Sequence, residues 1–241
     1  MCLIVFSWKV IPGLPLIAAA NRDEFYARPS APATWWEDHP NIYAGRDLQD
    51  GGTWLGISKT GRFAAITNVR APSERHENAP TRGALVADFL DSGATAAEYI
   101  AQISANADDY NGFNLLIHDG KELVWFSNKG QSDPRNGQPL APGIYGLSNA
   151  LLDVCWPKVV RTKAQFASLL CQGAPDETYF DMLTDTTTAG DCRLPSTGVG
   201  IERERLLSSV FIASQDYGTR NSTLVKLHAC GTAVLEERLI Q

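Results

Sequence analysis

Two apolar runs open the chain, Leu3-Ile4-Val5-Phe6-Ser7-Trp8 and Leu14-Pro15-Leu16-Ile17-Ala18-Ala19-Ala20. Ile11-Pro12-Gly13 parts them, and Asn21-Arg22-Asp23-Glu24 follows the second at once. Short apolar runs broken by Pro and Gly read as a strand hairpin. The second run then delivers four polar residues to the end of a strand, where a sheet presents side chains to a pocket. An Arg beside a carboxylate there can orient a thiol or clamp an anion. The same four residues also suit a solvated turn with weak local ion pairs.

Outward from this hairpin the pattern alternates between strands and helices. Residues 28–40 are Pro-rich, and Gly51-Gly52 leads into Thr53-Trp54-Leu55-Gly56-Ile57. Gly61 turns the chain into Phe63-Ala64-Ala65-Ile66-Thr67, a second hairpin, and residues 71–81 read as a polar loop. Leu85, Val86, Phe89 and Leu90 recur at helical spacing, and Tyr99, Ile100 and Ile103 extend the pattern. Strands are expected at 113–117, 123–126 and 145–147, and a helix opens at Pro157 and stops at Gly173. Further strands are expected at 210–213, 222–228 and 232–240. Hairpins linking neighbours favour layered α+β with antiparallel sheets, and no linker divides residues 1–241, so a single domain is expected.

The 241 residues carry 21 basic against 27 acidic side chains, a net charge of -6 and a pI near 5.2, which argues against nucleic-acid binding. No apolar run is long enough for a transmembrane helix. The five cysteines form no C-x-x-C pair and, with His39, His76, His118 and His228, no zinc spacing. Mostly buried thiols in a reducing, cytoplasmic setting are expected, and no metal ligand set is legible.

Cys2 most needs explaining. If the initiator Met is removed, thiol and α-amine share one residue, and an amine of pKa about 7.7–8.0 can act as base for its own thiol. Cys2 can equally just start a strand. Asn68 and Asn149 each end a short apolar run, where an amide can donate to an oxyanion or cap a turn. Arg220, just ahead of the late strands, can bind a carboxylate or sit at the surface. Trp35, Trp36 and Trp54 flank the Gly-rich turn as packing or as walls for a flat ligand.

These residues together resemble the NRDE family, whose eukaryotic members are called transport and Golgi organisation protein 2. The matching stretches are Met1-Cys2-Leu3-Ile4, Asn21-Arg22-Asp23-Glu24, Ala44-Gly45-Arg46-Asp47, Gly51-Gly52-Thr53-Trp54-Leu55-Gly56 and Gly61-Arg62-Phe63-Ala64-Ala65-Ile66-Thr67-Asn68. Arg82-Gly83, Gly146-Leu147-Ser148-Asn149, Trp156-Pro157-Lys158 and Thr219-Arg220 follow. The resemblance implies a four-layer αββα sandwich of the N-terminal-nucleophile hydrolase type. There Cys2 matches the nucleophile, Asp23 its carboxylate, Asn68 and Asn149 the oxyanion-side asparagines, and Arg220 a late arginine. Those hydrolases place the Arg a few residues before the Asp. Here Arg22 and Asp23 are adjacent, so strand alternation sends them to opposite faces.

For function, the resemblance implies haem binding and trafficking, haem being a non-covalently held cargo. Acyl-coenzyme A or lipid binding is also implied, and the residues themselves suggest a Cys amidohydrolase acting on a linear amide. The expected ligand is a small amphipathic anion, with Asn21, Arg22, Glu24, Arg46 and Trp54 as its contacts.

Overall fold

The computed structural model describes residues 2–74 and 76–240. The opening hairpin forms as expected: β1 (Cys2–Ile11) pairs antiparallel with β2 (Leu14–Phe25) across Gly13, whose φ of +79° is the left-handed conformation the turn needs. The strand does not stop at Ala20 but carries Asn21-Arg22-Asp23-Glu24 within it.

Nine further strands complete two antiparallel sheets among the described residues. They are β3 (Ser30–Trp35), β4 (Ile42–Asp47), β5 (Leu55–Ser58), β6 (Phe63–Asn68), β7 (Phe113–His118), β8 (Leu123–Ser127), β9 (Gly143–Leu147), β10 (Tyr217–Leu227) and β11 (Ala233–Leu239). One sheet runs β11-β10-β2-β1-β9 and the other β3-β4-β5-β6-β7-β8.

Period-2 alternation divides the side chains between two cores. Ile4, Phe6 and Trp8 of β1 and Leu16, Ala18 and Ala20 of β2 face the second sheet, where they meet Leu55, Phe63 and Trp125. Leu3, Val5, Ile17 and Ala19 face the other way, against α3 (Pro157–Gln172) and α4 (Asp176–Met182). On the far side, α1 (Gly83–Asp91) and α2 (Ala96–Ser104) cover the second sheet through Val86, Phe89 and Ile100. The layer order is therefore helix, sheet, sheet, helix, a four-layer αββα sandwich.

Local signals set the helix ends. Pro157 occupies the first turn of α3, and Gly173 at φ 59° closes it. Thr95 and Glu98 form a reciprocal capping box on α2.

Four expectations need correction. The thiols are not mostly buried: Cys155, Cys171, Cys192 and Cys230 are exposed and Cys2 is half-buried. Residues 210–213 are not a strand but an irregular segment with a single bridge, Ala213 to Gly218. Its amides turn inward instead: Val210 and Phe211 both donate to Asp185 O, and Ile212 donates to Thr219 Oγ1. The Pro-rich stretch contains β3, an edge strand that tolerates Pro32 because one side needs no ladder donors. Arg220 does not precede the late strands but lies inside β10, at a register shift between Thr219 and Asn221. Also formed are α4 and α5 (Ile201–Leu206), both too short for periodicity to show. Among the described residues no helix is long and apolar enough to cross a membrane.

Candidate functional site

The first sheet ends in a row of polar side chains. Cys2 on β1 lies opposite Arg22 on β2, and Arg22 lies opposite Asn221 on β10. Continuing the β1–β9 pairing past Ile4–Leu147 brings Asn149 alongside Cys2. Alternation points Cys2 and Arg22 between the sheets and sends Asp23 to the helix side, so Arg22 and Asp23 do occupy opposite faces.

Arg22 is 5% exposed, and its guanidinium lies over the Trp54 ring, 4.1 Å from the centroid. Trp54 reaches this place because residue 45 is glycine, where a Cβ would stand 2.5 Å from the ring. The Arg22 Nη1 has no hydrogen-bond partner and the residue no salt bridge among the described residues. Burial lowers its pKa, opposed chiefly by the fields of Cys2 and Glu24. A buried, uncompensated cation is costly, which makes it a place for an anion or a developing negative charge.

Above this floor opens a cleft of about 370 Å³. Cys2, Arg22, Asp23, Glu24, Trp54 and Asn68 line it, with His76, Glu77 and Arg82 on the opposing wall. Arg28 is also there, tied to Asp47 and Asp50 by salt bridges of 2.7 and 2.5 Å. The walls are mostly polar.

Burial pushes the Cys2 thiol up, and the nearby Asp23 adds to this. The thiol alone is therefore not activated. Met1 lies outside the described residues, and with it the expected processing that would free the Cys2 amine. Ser148 Oγ donates to Cys2 O at 3.0 Å and fixes the start of β1.

Asp23 is fully buried, and burial raises its carboxyl, with Lys158 the largest opposing influence. The Thr219 hydroxyl accepts from the Ile212 amide at 2.9 Å, so its single proton goes to Asp23 Oδ1 at 2.8 Å. Tyr217 donates its hydroxyl to the Asp23 carbonyl. Lys158, in the first turn of α3, is 1% exposed, and burial, opposed by Asp23 and reinforced by Arg70, lowers its pKa to about 8. Sequence reasoning passed over it, because a lone Lys in a helix reads as a solvated face. Its signal is Trp156-Pro157-Lys158-Val159, an ammonium inside an apolar turn.

The other expected residues divide between cleft and framework. Asn68 ends β6 and lines the cleft, and Asn149 Nδ2 donates to Asn68 O at 2.9 Å. Asn21 joins parts of the framework: its Nδ2 donates to Leu183 O and Val210 O, and its Oδ1 accepts from Ser222. Arg220 does not line the cleft, and its Nη1 donates to the carbonyls of Phe25, Tyr26 and Arg28. Arg46 lies in a neighbouring trough of about 470 Å³ with Trp36, His39, Asp88 and Asp91, bound to both oxygens of Asp38. No group of three metal-ligating side chains occurs among the described residues.

The family model for Transport and Golgi organisation 2 matches residues 1–241. The Transport and Golgi organization protein 2 homolog of Bos taurus is 37% identical over 259 residues, covering 99% of this chain and 92% of the bovine protein. Among solved structures, the Caenorhabditis elegans N-acylethanolamine-hydrolyzing acid amidase ortholog is similar with a TM-score of 0.47 at 10% identity, covering 92% of each chain. Penicillin V acylase from Agrobacterium tumefaciens gives 0.39 at 12% identity, covering 100% of this chain and 86% of that one. The chain belongs to the Transport and Golgi organisation 2 family.

Proposed function

We propose that the cleft binds the anionic end of a small amphipathic ligand in the cytoplasm, with haem as the first candidate and acyl-coenzyme A as the alternative. The observation that supports this is Arg22, buried, stacked on Trp54 and without a salt bridge at the floor of an open cleft. A ligand carboxylate or phosphate there would supply the missing counter-charge. The polar walls leave little room for a ring or chain inside. The apolar part of the ligand would lie at the mouth, where exposed Phe25, Tyr26 and Leu48 follow the lining residues Glu24 and Asp47 in the chain. His76 is the one histidine among the residues lining the cleft, so an axial contact to haem iron would come from it. Binding that leaves the ring largely outside is weak and exchangeable, which suits a carrier.

A haem titration followed in the Soret band tests this. A saturable shift with the wild type, lost in Arg22→Ala and competed by acyl-coenzyme A, is expected. No saturable shift with haem and no binding of acyl-coenzyme A would sink the reading.

Hydrolysis of an amide by Cys2 is the second reading, favoured by the pairing of Cys2 with Arg22 and by Asp23 buried beneath them. It requires the Cys2 amine to be free and turnover to vanish in Cys2→Ala.

A further inference from the structure

Beneath Cys2 lies a small void of about 10 Å³, separate from the main cleft, lined by Cys2, Ile4, Ala20, Arg22, Trp54 and Asn221 among others. Two buried polar atoms on its lining residues have no partner among the described residues, Arg22 Nη1 and Asn221 Oδ1. Both residues are nearly inaccessible, at 5% and 2% exposure. A volume of this size holds one heavy atom of the size of a water or carbonyl oxygen. Leaving a buried polar group unsatisfied is costly, so two beside one void mark a place where an occupant belongs.

The fold puts Asn221 there by a specific device. Thr219 pairs with Asp23 and Asn221 with Arg22, so Arg220 is the extra residue of a β-bulge. The bulge turns Arg220 onto the carbonyls of Phe25, Tyr26 and Arg28 and leaves Asn221 on the row with Arg22 and Cys2. Cys2 and Asn221 sit two strands apart, about 10 Å between backbones. Arg22 stands between them on the same face, and all three residues line the void.

We infer that Arg22 and Asn221 form the oxyanion site of Cys2, in place of the Asn149 carboxamide. Asn149 does not line the void, and it gives one Nδ2 hydrogen to Asn68 O with its Oδ1 against Ser148 Oγ. A half-turn of the Asn221 carboxamide presents its NH2 to the void without breaking a hydrogen bond of its oxygen. A guanidinium and an amide then face the carbonyl oxygen of an acyl group attacked by Cys2. The ligand class is an acyl compound, amide or thioester. The inference rests on the second reading above, that Cys2 is a nucleophile.

Acetylation of Cys2 by p-nitrophenyl acetate tests it. The sulfur attacks the ester carbon, the carbonyl electrons move onto oxygen, p-nitrophenolate leaves as the carbonyl reforms, and the thiol proton goes to solvent. Alkylation by iodoacetamide is the control, because displacement of iodide at a saturated carbon creates no oxyanion. Both products are measured at the Cys2 peptide by mass, with the exposed Cys155, Cys171, Cys192 and Cys230 as internal references.

Asn221→Leu is expected to slow acetylation about 100-fold relative to alkylation, Asn221→Ser less, while Asn149→Leu leaves the ratio within about twofold. The ratio cancels any change in thiol ionisation or folding. If Asn149→Leu lowers the ratio and Asn221→Leu does not, the inference is wrong and the nucleophile reading stands. If wild-type Cys2 is acetylated no faster than the exposed cysteines, both fail.

Discussion

Replacing Lys158 by Met gives the most quantitative check on the buried charge beneath the cleft. Lys158 is 1% exposed at the start of α3, facing Asp23, Arg70 and Cys2, and its Nζ has no hydrogen-bond partner among the described residues. Burial depresses its pKa from 10.5 to about 8, with Asp23 opposing the shift. A group whose folded pKa is depressed binds fewer protons folded than unfolded between the two values, so stability rises with pH through that window. The ammonium therefore imposes its full cost below pH 8, and the cost is relieved between pH 8 and 10.5, by about 3 kcal/mol in all. Urea unfolding at several pH values between 7 and 10, for wild type and Lys158→Met, reads this out. The stability difference between the two proteins should change by about 2–3 kcal/mol over the range, the wild type gaining. A pH-independent difference would show that Lys158 keeps an ordinary pKa and that the Asp23 pairing has been misjudged.

Three other outcomes are expected. Gly45→Ala places a methyl 2.5 Å from the Trp54 ring, so it should displace the platform under Arg22, cost about 1–3 kcal/mol in thermal unfolding and weaken ligand binding. His118 is buried with its pKa lowered to about 4, so the unfolded chain binds the extra proton as pH falls from 6.5 and stability is lost down to pH 4. His118→Phe should flatten that part of an acid-unfolding curve. Thr95→Ala removes the capping box on α2, away from the cleft, and should cost about 1 kcal/mol without changing ligand affinity.

How far the fold was legible depended on length and periodicity. β1 and β2 announce themselves because both faces of the sheet are covered, leaving continuous apolar runs. α4 and α5 have seven and six residues, too few for a helical period to stand out. Residues 210–213 resemble a strand because Val210 and Ile212 are buried, yet Val210 is held by Asn21 and Ile212 packs on Leu207 and Tyr217 rather than in a ladder.

The site was legible where strand register alone placed a residue, as for Cys2, Arg22 and Asp23. It was not where a local irregularity decided. The bulge in β10 exchanges Arg220 for Asn221, and no composition signal marks it. Arg22 and Arg46 both stack on tryptophans, and only the paired chain tells which opens onto the cleft. Lys158 needed the position of Asp23 across the layer boundary before its burial meant anything.

The central claim is that Arg22 holds the anionic end of the ligand at the floor of the cleft. A crystal structure of the protein with acyl-coenzyme A or haem tests it most directly. The expected result is a phosphate or carboxylate oxygen within hydrogen-bond distance of the Arg22 guanidinium, with Trp54 still beneath it. A ligand seated in the trough beside Arg46 and Trp36, with the Arg22 guanidinium untouched, would contradict the account.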